Sequence, residues 1–181
     1  MFILPVHDQL QLQLLEPHDA EALVTLITAE HMHLKQWLGW LEEVPSLEQQ
    51  RAFIAQSLQQ FASGEALVTG IRYAGGLCGV ISVNRFDHQT KTATLGYWLS
   101  ERYTGQGIMT DAVRAMMSLC FFERAMQVVE IRVAQHNVKS RMVAKRLGFT
   151  EAETVPAAEN LYGRFVDHVV YRMTREAYNH G

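Results

Sequence analysis

The sequence predicts an α/β protein, in the broad sense that includes α+β: a single domain in which one layer of mixed sheet is flanked by helices. Three observations carry that expectation. The runs ALVTGIRY and LCGVISVNRF, joined by a glycine turn at Gly75-Gly76, read as a β-hairpin. Further on, TATLGYWLS, a glycine-bearing loop, an amphipathic run and VVEIRVA succeed one another as strand, loop, helix and strand. That is the order of a βαβ unit, whose strands run parallel and whose crossover is right-handed. Finally, 181 residues, 48% of them hydrophobic and 19% charged, suit one globular domain with a substantial core.

The elements follow in chain order. Leu10, Leu12 and Leu14 alternate with glutamines, the pattern of a half-buried strand. Pro17 stands where the first turn of a helix tolerates it, and that helix is expected over about Pro17 to Thr28. HLKQWLGWL reads as a second helix, on which Trp37 and Trp40, three residues apart, would face the same way. Pro45-Ser46-Leu47-Glu48-Gln49 ends it and opens a third helix with a capping box, and Gly64 closes that helix. TATLGYWLS adds a third strand to the hairpin. After the glycine loop, Ile108, Ala112, Val113, Met116, Leu119 and Cys120 trace one helical face. VVEIRVA is the next strand. Asn137 then caps a helix that ends at Gly148, a residue suited to the left-handed position after a helix. Strands near Phe149 to Val155 and Phe165 to Met173 complete the chain, which shows no repeat, linker or low-complexity tract.

Composition excludes several functions. A net charge of −3 with no Lys/Arg run leaves no electrostatic footprint for nucleic acid or an anionic membrane. No apolar run reaches the roughly 18 residues of a membrane span. The start, MFILPVHDQL, lacks the basic segment and cleavage site of a signal peptide, so a soluble cytoplasmic protein is expected. Cys78 and Cys120 lie far apart without metal-spaced partners, which points to buried thiols. None of the eight histidines has the helix spacing of a zinc hydrolase. His31 and His33 are read as surface or satisfied side chains, and no metal is expected.

The chemistry concentrates in ERYTGQGIMTDAV, residues 101–113. Gly105 and Gly107 free the backbone for φ > 0 and for close approach, so the loop is suited to presenting N–H groups to an anion at a helix start. A dinucleotide fingerprint fails because Thr110 stands where the third glycine or alanine belongs. A P-loop fails because Ile108-Met109-Thr110, not Lys-Ser/Thr, follows Gly107. Arg102-x-x-Gly105-x-Gly107 remains, a shape fit for a diphosphate held by successive amides without a metal. By itself it serves equally well as an ordinary turn into a helix.

Together, GVISVNRF, LGYWLSERYTGQGIMTDAV and NVKSRMVAKRLGF, in that order, resemble the GNAT superfamily of N-acetyltransferases, and within it the RimJ/RimL branch, whose members acetylate the N-termini of ribosomal proteins in bacteria. The resemblance implies a mostly antiparallel sheet of about seven strands, with one parallel pair splayed apart to admit the pantetheine of acetyl-CoA. It implies that Arg102, Gly105, Gln106, Gly107, Ile108 and Met109 hold the diphosphate. Trp98 or Leu99 would offer a backbone N–H to the thioester carbonyl, and Asn137 and Ser140 would contact the cofactor. Relatives in this branch often form dimers, so a homodimer is an expectation too.

Acetyl transfer needs a neutral amine. An α-amine, with a pKa of about 7.7 to 8.0, is partly free near neutrality, whereas a lysine amine at about 10.4 is almost wholly protonated. An N-terminal acceptor therefore asks only modest help from a base. The resemblance puts that base at Glu159 in VPAAENLYG, which otherwise reads as a solvated loop charge. It makes the Ser140 hydroxyl the donor to the departing thiolate, which otherwise reads as a turn-capping side chain. The acceptor groove is expected to be lined by Trp37, Trp40, Asn84, Arg85 and Tyr97. The tryptophans read equally as core, and Arg85 as a strand-end charge. Three functions fit: N-terminal acetylation of a ribosomal protein, acetylation of a small amine such as an antibiotic or aminoacyl nucleotide, or non-catalytic sensing of acyl-CoA.

Overall fold

The computed structural model describes all residues, Met1 to Gly181. Eight strands form one sheet in the order β1-β2-β3-β4-β5-β6-β8-β7. Strand β1 (Ile3–His7) was not legible in the sequence: Pro5 interrupts a short edge segment that pairs antiparallel with β2 (Leu10–Leu14). Strands β3 (Leu67–Tyr73) and β4 (Gly76–Asp87) make the expected hairpin. Its turn sits one residue earlier than expected, with Ala74 (φ 50°) and Gly75 (φ 84°) at the centre and Gly76 already paired to Tyr73. Strand β5 (Thr92–Leu99) runs antiparallel to β4 and parallel to β6 (Val128–Ala134).

The helical reading of the first third needs correction. A short 3-10 turn, Pro17–Asp19, leads into one long helix, α1 (Ala20–Lys35), and HLKQWLGWL is mostly a loop. Ala20, Leu23, Ile27 and Leu34 are all buried, so the apolar stripe at spacings of three, four and seven continues past Thr28. The helix ends at Lys35, with Gln36 as its C-cap. Trp37 and Trp40 therefore lie in turns, and the helical argument that they share a face does not apply. The next helix, α2 (Leu47–Ser63), is as expected: Ser46 and Gln49 exchange capping-box bonds, and Gly64 closes it at φ 77°.

Helix α3 (Ile108–Ser118) continues through a π-helical turn, Leu119–Glu123, and α4 (Val138–Arg146) follows β6. Strand β7 (Thr150–Leu161) is longer than expected, because a register shift between Val155 and Glu159 absorbs Pro156 and Ala157 (φ 48°) and lets pairing resume. It pairs with β8 (Arg164–Thr174), after which α5 (Arg175–His180) ends the chain. One sheet face packs its core with α3 and α4, through residues such as Ile81, Leu95, Met116, Phe121, Ile131 and Val143. The other packs with α1 and α2 through Leu23, Ile27, Ile54, Val68 and Val80. Cys78 and Cys120 are both buried and unpaired.

One feature of the sheet prepares the site. Strands β5 and β6 pair only from Thr92↔Val128 to Leu95↔Ile131; beyond that point β6 goes on pairing with β8 through Ala134, while β5 runs on to Leu99 beside β4 alone. The sheet is split there, at the carboxyl ends of its two parallel strands.

Candidate active site

Strand β5 delivers the chain to the glycine loop. Ser100, fully buried, donates its hydroxyl to Glu30 Oε1 at 2.5 Å, and the Glu101 N–H donates to Glu30 Oε2 at 3.0 Å. Glu30, on α1, thus fixes the strand exit from which the loop springs; no motif in the sequence points to it. A 3-10 turn, Glu101–Tyr103, follows, in which Thr104 Oγ and the Gln106 amide donate back to the carbonyls of Glu101 and Arg102 at 2.7 and 3.1 Å. Gly105 and Gly107 both take φ > 0, at 77° and 79°, and a Cβ on either would meet nothing within 4 Å. The N–H groups of Gly105, Gln106 and Gly107 donate to no carbonyl of the chain, and those of Ile108 and Met109 open α3, where no intrahelical partner exists. Five successive amides are therefore left to face an anion. Arg102 lies over the Tyr103 ring, 5.3 Å from its centroid, and makes no ion pair.

Across the split stands the start of α4. Asn137 is the N-cap, its Oδ1 accepting from the Ser140 N–H at 3.3 Å. Capping falls to Asn137, so the Ser140 hydroxyl, which has no hydrogen-bond partner in the chain, remains available. The Ser140 carbonyl accepts from the Tyr97 hydroxyl at 3.0 Å. Tyr97 packs against the α3/α4 core, and burial pushes its phenol up to about 12. It braces α4 across the split, facing away from Gly96 and Asn84, so it does not join Asn84 in one groove. Because the Ser100 N–H donates to Cys78 O, strand alternation turns Trp98 toward β4 and the Leu99 N–H toward the split. Of the two residues expected to offer a carbonyl donor, the geometry favours Leu99; the Trp98 side chain packs on the α1/α2 side.

Asn84 is the extra residue of a bulge in β4, where the register shifts between Val83 and Arg85. Its Oδ1 accepts from Ser82 Oγ at 2.7 Å, and a Cβ on Gly96 would come within 2.7 Å of its Nδ2, so the glycine makes room for it. Arg85 is exposed and reaches only Asp87, at 3.3 Å, the environment of a strand-end charge.

Glu159 lies on strand β7, not in a loop, opposite Val166. Its Oε2 is 3.4 Å from His168 Nε2, while its Oε1 is buried with no hydrogen-bond partner. Gly39 backs onto the carboxylate, since a Cβ there would lie 3.5 Å from Oε1. His168 was not singled out from the sequence; only the pairing of β7 with β8 brings it to Glu159. Beside this carboxylate a cavity of about 490 Å³ opens between the end of α1, the β6–α4 connection and the β7–β8 hairpin. Trp37 lines it and packs on His136, ring centroids 4.9 Å apart. Trp40 does not line it and is exposed.

The residues present fit coenzyme A. An amide run with five free donors matches a diphosphate, and a gap between parallel strands matches an extended, amide-bearing arm that would otherwise need a strand partner. Such an anion seat of main-chain amides, opening on a split sheet with a free hydroxyl and a carboxylate bare at one oxygen nearby, defines an enzyme class that carries acyl groups from coenzyme A to amines. Comparison with known proteins makes this specific. The acetyltransferase (GNAT) domain family matches residues 9–150, and the chain belongs to that family. It is 35% identical over 178 residues, 97% of this chain and 96% of the relative, to YdaF of Bacillus subtilis, whose own assignment as a ribosomal N-acetyltransferase is provisional. RimL, the ribosomal L7/L12 alpha-N-protein acetyltransferase, solved with coenzyme A, superposes with a TM-score of 0.93 at 30% identity, covering 97% of this chain and 99% of that one. The microcin C7 self-immunity acetyltransferase MccE, solved with acetyl-CoA and AMP, superposes with a TM-score of 0.90 at 30% identity, covering 93% and 94%. The chain is an acetyl-CoA-dependent N-acetyltransferase of the RimJ/RimL kind.

Proposed function

We propose that the acceptor is the N-terminal α-amine of a ribosomal protein and that transfer is direct, with acceptor and acetyl-CoA bound together. Acetyl-CoA supplies an activated thioester, and the rest of the work falls to the chain. The Gly105 to Met109 amides hold the diphosphate, helped by Arg102, and the Leu99 N–H polarises the thioester carbonyl. Ser140 donates its hydroxyl to the leaving sulfur, a demand eased by a thiol pKa of about 8.5. Glu159 accepts the amine proton at Oε1, while His168 holds Oε2 and fixes the plane of the carboxylate.

The observation that carries this reading is the bare Oε1 of Glu159. A buried carboxylate oxygen without a donor is costly unless a donor arrives with the substrate, and an amine N–H is such a donor. A single carboxylate of this kind suits an α-amine better than a lysine amine, whose proton is held by about two and a half units more. The relation to RimL and YdaF supports the same acceptor class. A second reading, acetylation of an amine on a planar nucleotide-like molecule, is favoured by the pair of aromatic rings, Trp37 and His136, beside Glu159 and by the likeness to MccE.

The test measures coenzyme A release with N-terminal peptides of ribosomal proteins and with a panel of small amines, followed by mass spectrometry of the product. Acetyl on the α-amine of a peptide is expected. Acetyl on a lysine side chain, or turnover confined to small amines, would overturn the reading.

A further inference from the structure

The cavity beside Glu159 carries more charge than an amine pocket requires. Its wall holds Lys35, His136 and Arg164 together with Trp37 and Tyr162. Neither Lys35 nor Arg164 pairs with any carboxylate of the chain. The Lys35 ammonium sits 5.3 Å from the centroid of the Tyr162 ring, and Arg164 Nη2 lies 3.3 Å from His136 Nε2. An arginine at that distance makes the histidine nitrogen an acceptor and leaves its other nitrogen, Nδ1, as a donor. Burial and the Arg164 charge hold the His136 pKa below its usual value, against an opposing pull from Glu159. Tyr162 donates its hydroxyl to the Leu38 carbonyl, so the hairpin bearing Arg164 is tied to the loop after α1. The cavity is thus held open by a fixed strut, with two unneutralised cations at its wall.

The acidic groups nearby are Glu159 and Glu42, both close enough to Tyr162 to hold its phenol above the usual value after burial has raised it. Neither pairs with Lys35 or Arg164, so the two cations are left for something outside the chain. Leu161 lines the cavity and stands two residues along β7 from Glu159, on the same strand face and roughly 7 Å away. An extended acceptor chain covers that distance in about two residues.

Resting on the N-terminal reading above, we propose that this cavity receives an acidic side chain of the acceptor, an Asp or Glu one to three residues after the acetylated amine. Lys35 and Arg164 meet the carboxylate and Trp37 covers its stem. The enzyme would then select among N-termini by an anion close behind the amine, in addition to the amine itself.

The test compares kcat/KM for three peptides of one sequence carrying Glu, Gln or Lys at the second to fourth positions, together with a phosphate-bearing aminoacyl-nucleotide analogue. They are assayed on the wild type, Lys35→Gln, Arg164→Gln and the charge-preserving Arg164→Lys. The wild type is expected to favour Glu over Gln by about tenfold at low salt, as a charge-assisted contact implies, with Lys least accepted and the ratio shrinking as salt rises. That ratio should fall toward one in both charge-removing variants and persist in Arg164→Lys. An equal rate for Glu and Gln peptides in the wild type, or a ratio unmoved in both charge-removing variants, overturns the proposal. Turnover of the nucleotide analogue alone, dependent on Lys35 and Arg164, would assign the anion seat to a phosphate and overturn both the acidic-side-chain assignment and the N-terminal reading. Turnover of the peptides without charge preference would overturn only the anion seat.

Discussion

Gly107→Ala separates backbone strain from cofactor binding, because the fold contains its own control. At φ 79° a Cβ on Gly107 meets nothing within 4 Å, and at φ 84° the same is true of Gly75 in the β3–β4 turn. Each alanine substitution therefore adds only the cost of a left-handed conformation, about 1–2 kcal/mol. For a domain of this size that is a fall in Tm of roughly 2–8 °C in both variants. Their effects on acetyl-CoA should diverge. The proposed function puts the diphosphate in the open space over Gly107, so on that reading the added methyl group either occupies the seat or turns the loop amides away from it. Losing about 1.4 kcal/mol of that contact raises the KM for acetyl-CoA about tenfold. Gly75→Ala should leave that KM within about twofold while losing similar stability. Steady-state kinetics with varied acetyl-CoA, alongside thermal melts, read both quantities. A Gly107→Ala enzyme with wild-type KM for acetyl-CoA, or a Gly75→Ala enzyme with the same kinetic defect, would refute the reasoning.

Other consequences can be checked in the same preparations. Glu159→Gln keeps the shape and removes the proton acceptor, so kcat with a peptide acceptor should drop by about 10² or more near neutral pH, the loss narrowing as alkaline pH frees the amine without help; a constant ratio across pH would assign Glu159 to binding. Ser140→Ala should lower kcat with little change in the KM for acetyl-CoA, because the capping bond is made by Asn137 and survives; the reverse pattern would return Ser140 to a structural role. Burial pushes the Cys78 and Cys120 thiols up to about 11 and about 12, so a disulfide-exchange reagent should find no reactive thiol in the native protein and both after unfolding; rapid native labelling would contradict the packing. Burial acts to raise the Glu130 pKa, but Arg132 at 2.7 Å and Arg172 at 2.9 Å outweigh it and hold the carboxyl below its ordinary value. Its stabilisation is therefore complete above the unfolded value and is lost as pH falls through the folded one. Glu130→Gln should cost about 1–3 kcal/mol at neutral pH, a difference that fades in melts taken toward pH 3, and a pH-independent difference would disprove the linkage.

How far the sequence reached depended on the range of the interactions involved. The capping box at Ser46, the C-terminal Gly64 and the β3–β4 hairpin were legible because each is set by neighbours a few residues apart, and the βαβ unit because its strand, loop, helix and strand follow one another in the chain. So were the glycine loop and Asn137, whose geometry follows from local φ and one capping bond. The helix expected over HLKQWLGWL was misplaced because WLGW keeps a helical apolar spacing, although the helix and its buried stripe had already ended by Lys35. That error carried Trp37 and Trp40 onto one imagined face, when only Trp37 reaches the cavity. Strand β7 was expected to end near Val155, whereas a bulge carries it past Pro156 to Glu159, and that bulge is set by pairing with β8. Glu30, His168, Lys35 and Arg164 escaped notice for a different reason. Each acquires its surroundings from an element remote in sequence, as Glu30 does from Ser100 and His168 from Glu159, and no local spacing encodes such a meeting.

The central claim is that main-chain nitrogens from Gly105 to Met109 form the seat of the cofactor diphosphate. Amide proton and nitrogen shifts of those five residues, followed by NMR while coenzyme A is titrated in, address it directly. All five should move together with one dissociation constant, and the same titration with pantetheine, which lacks the diphosphate, should leave them largely in place. Saturable binding of coenzyme A that shifts resonances elsewhere while these five stay still would contradict the account.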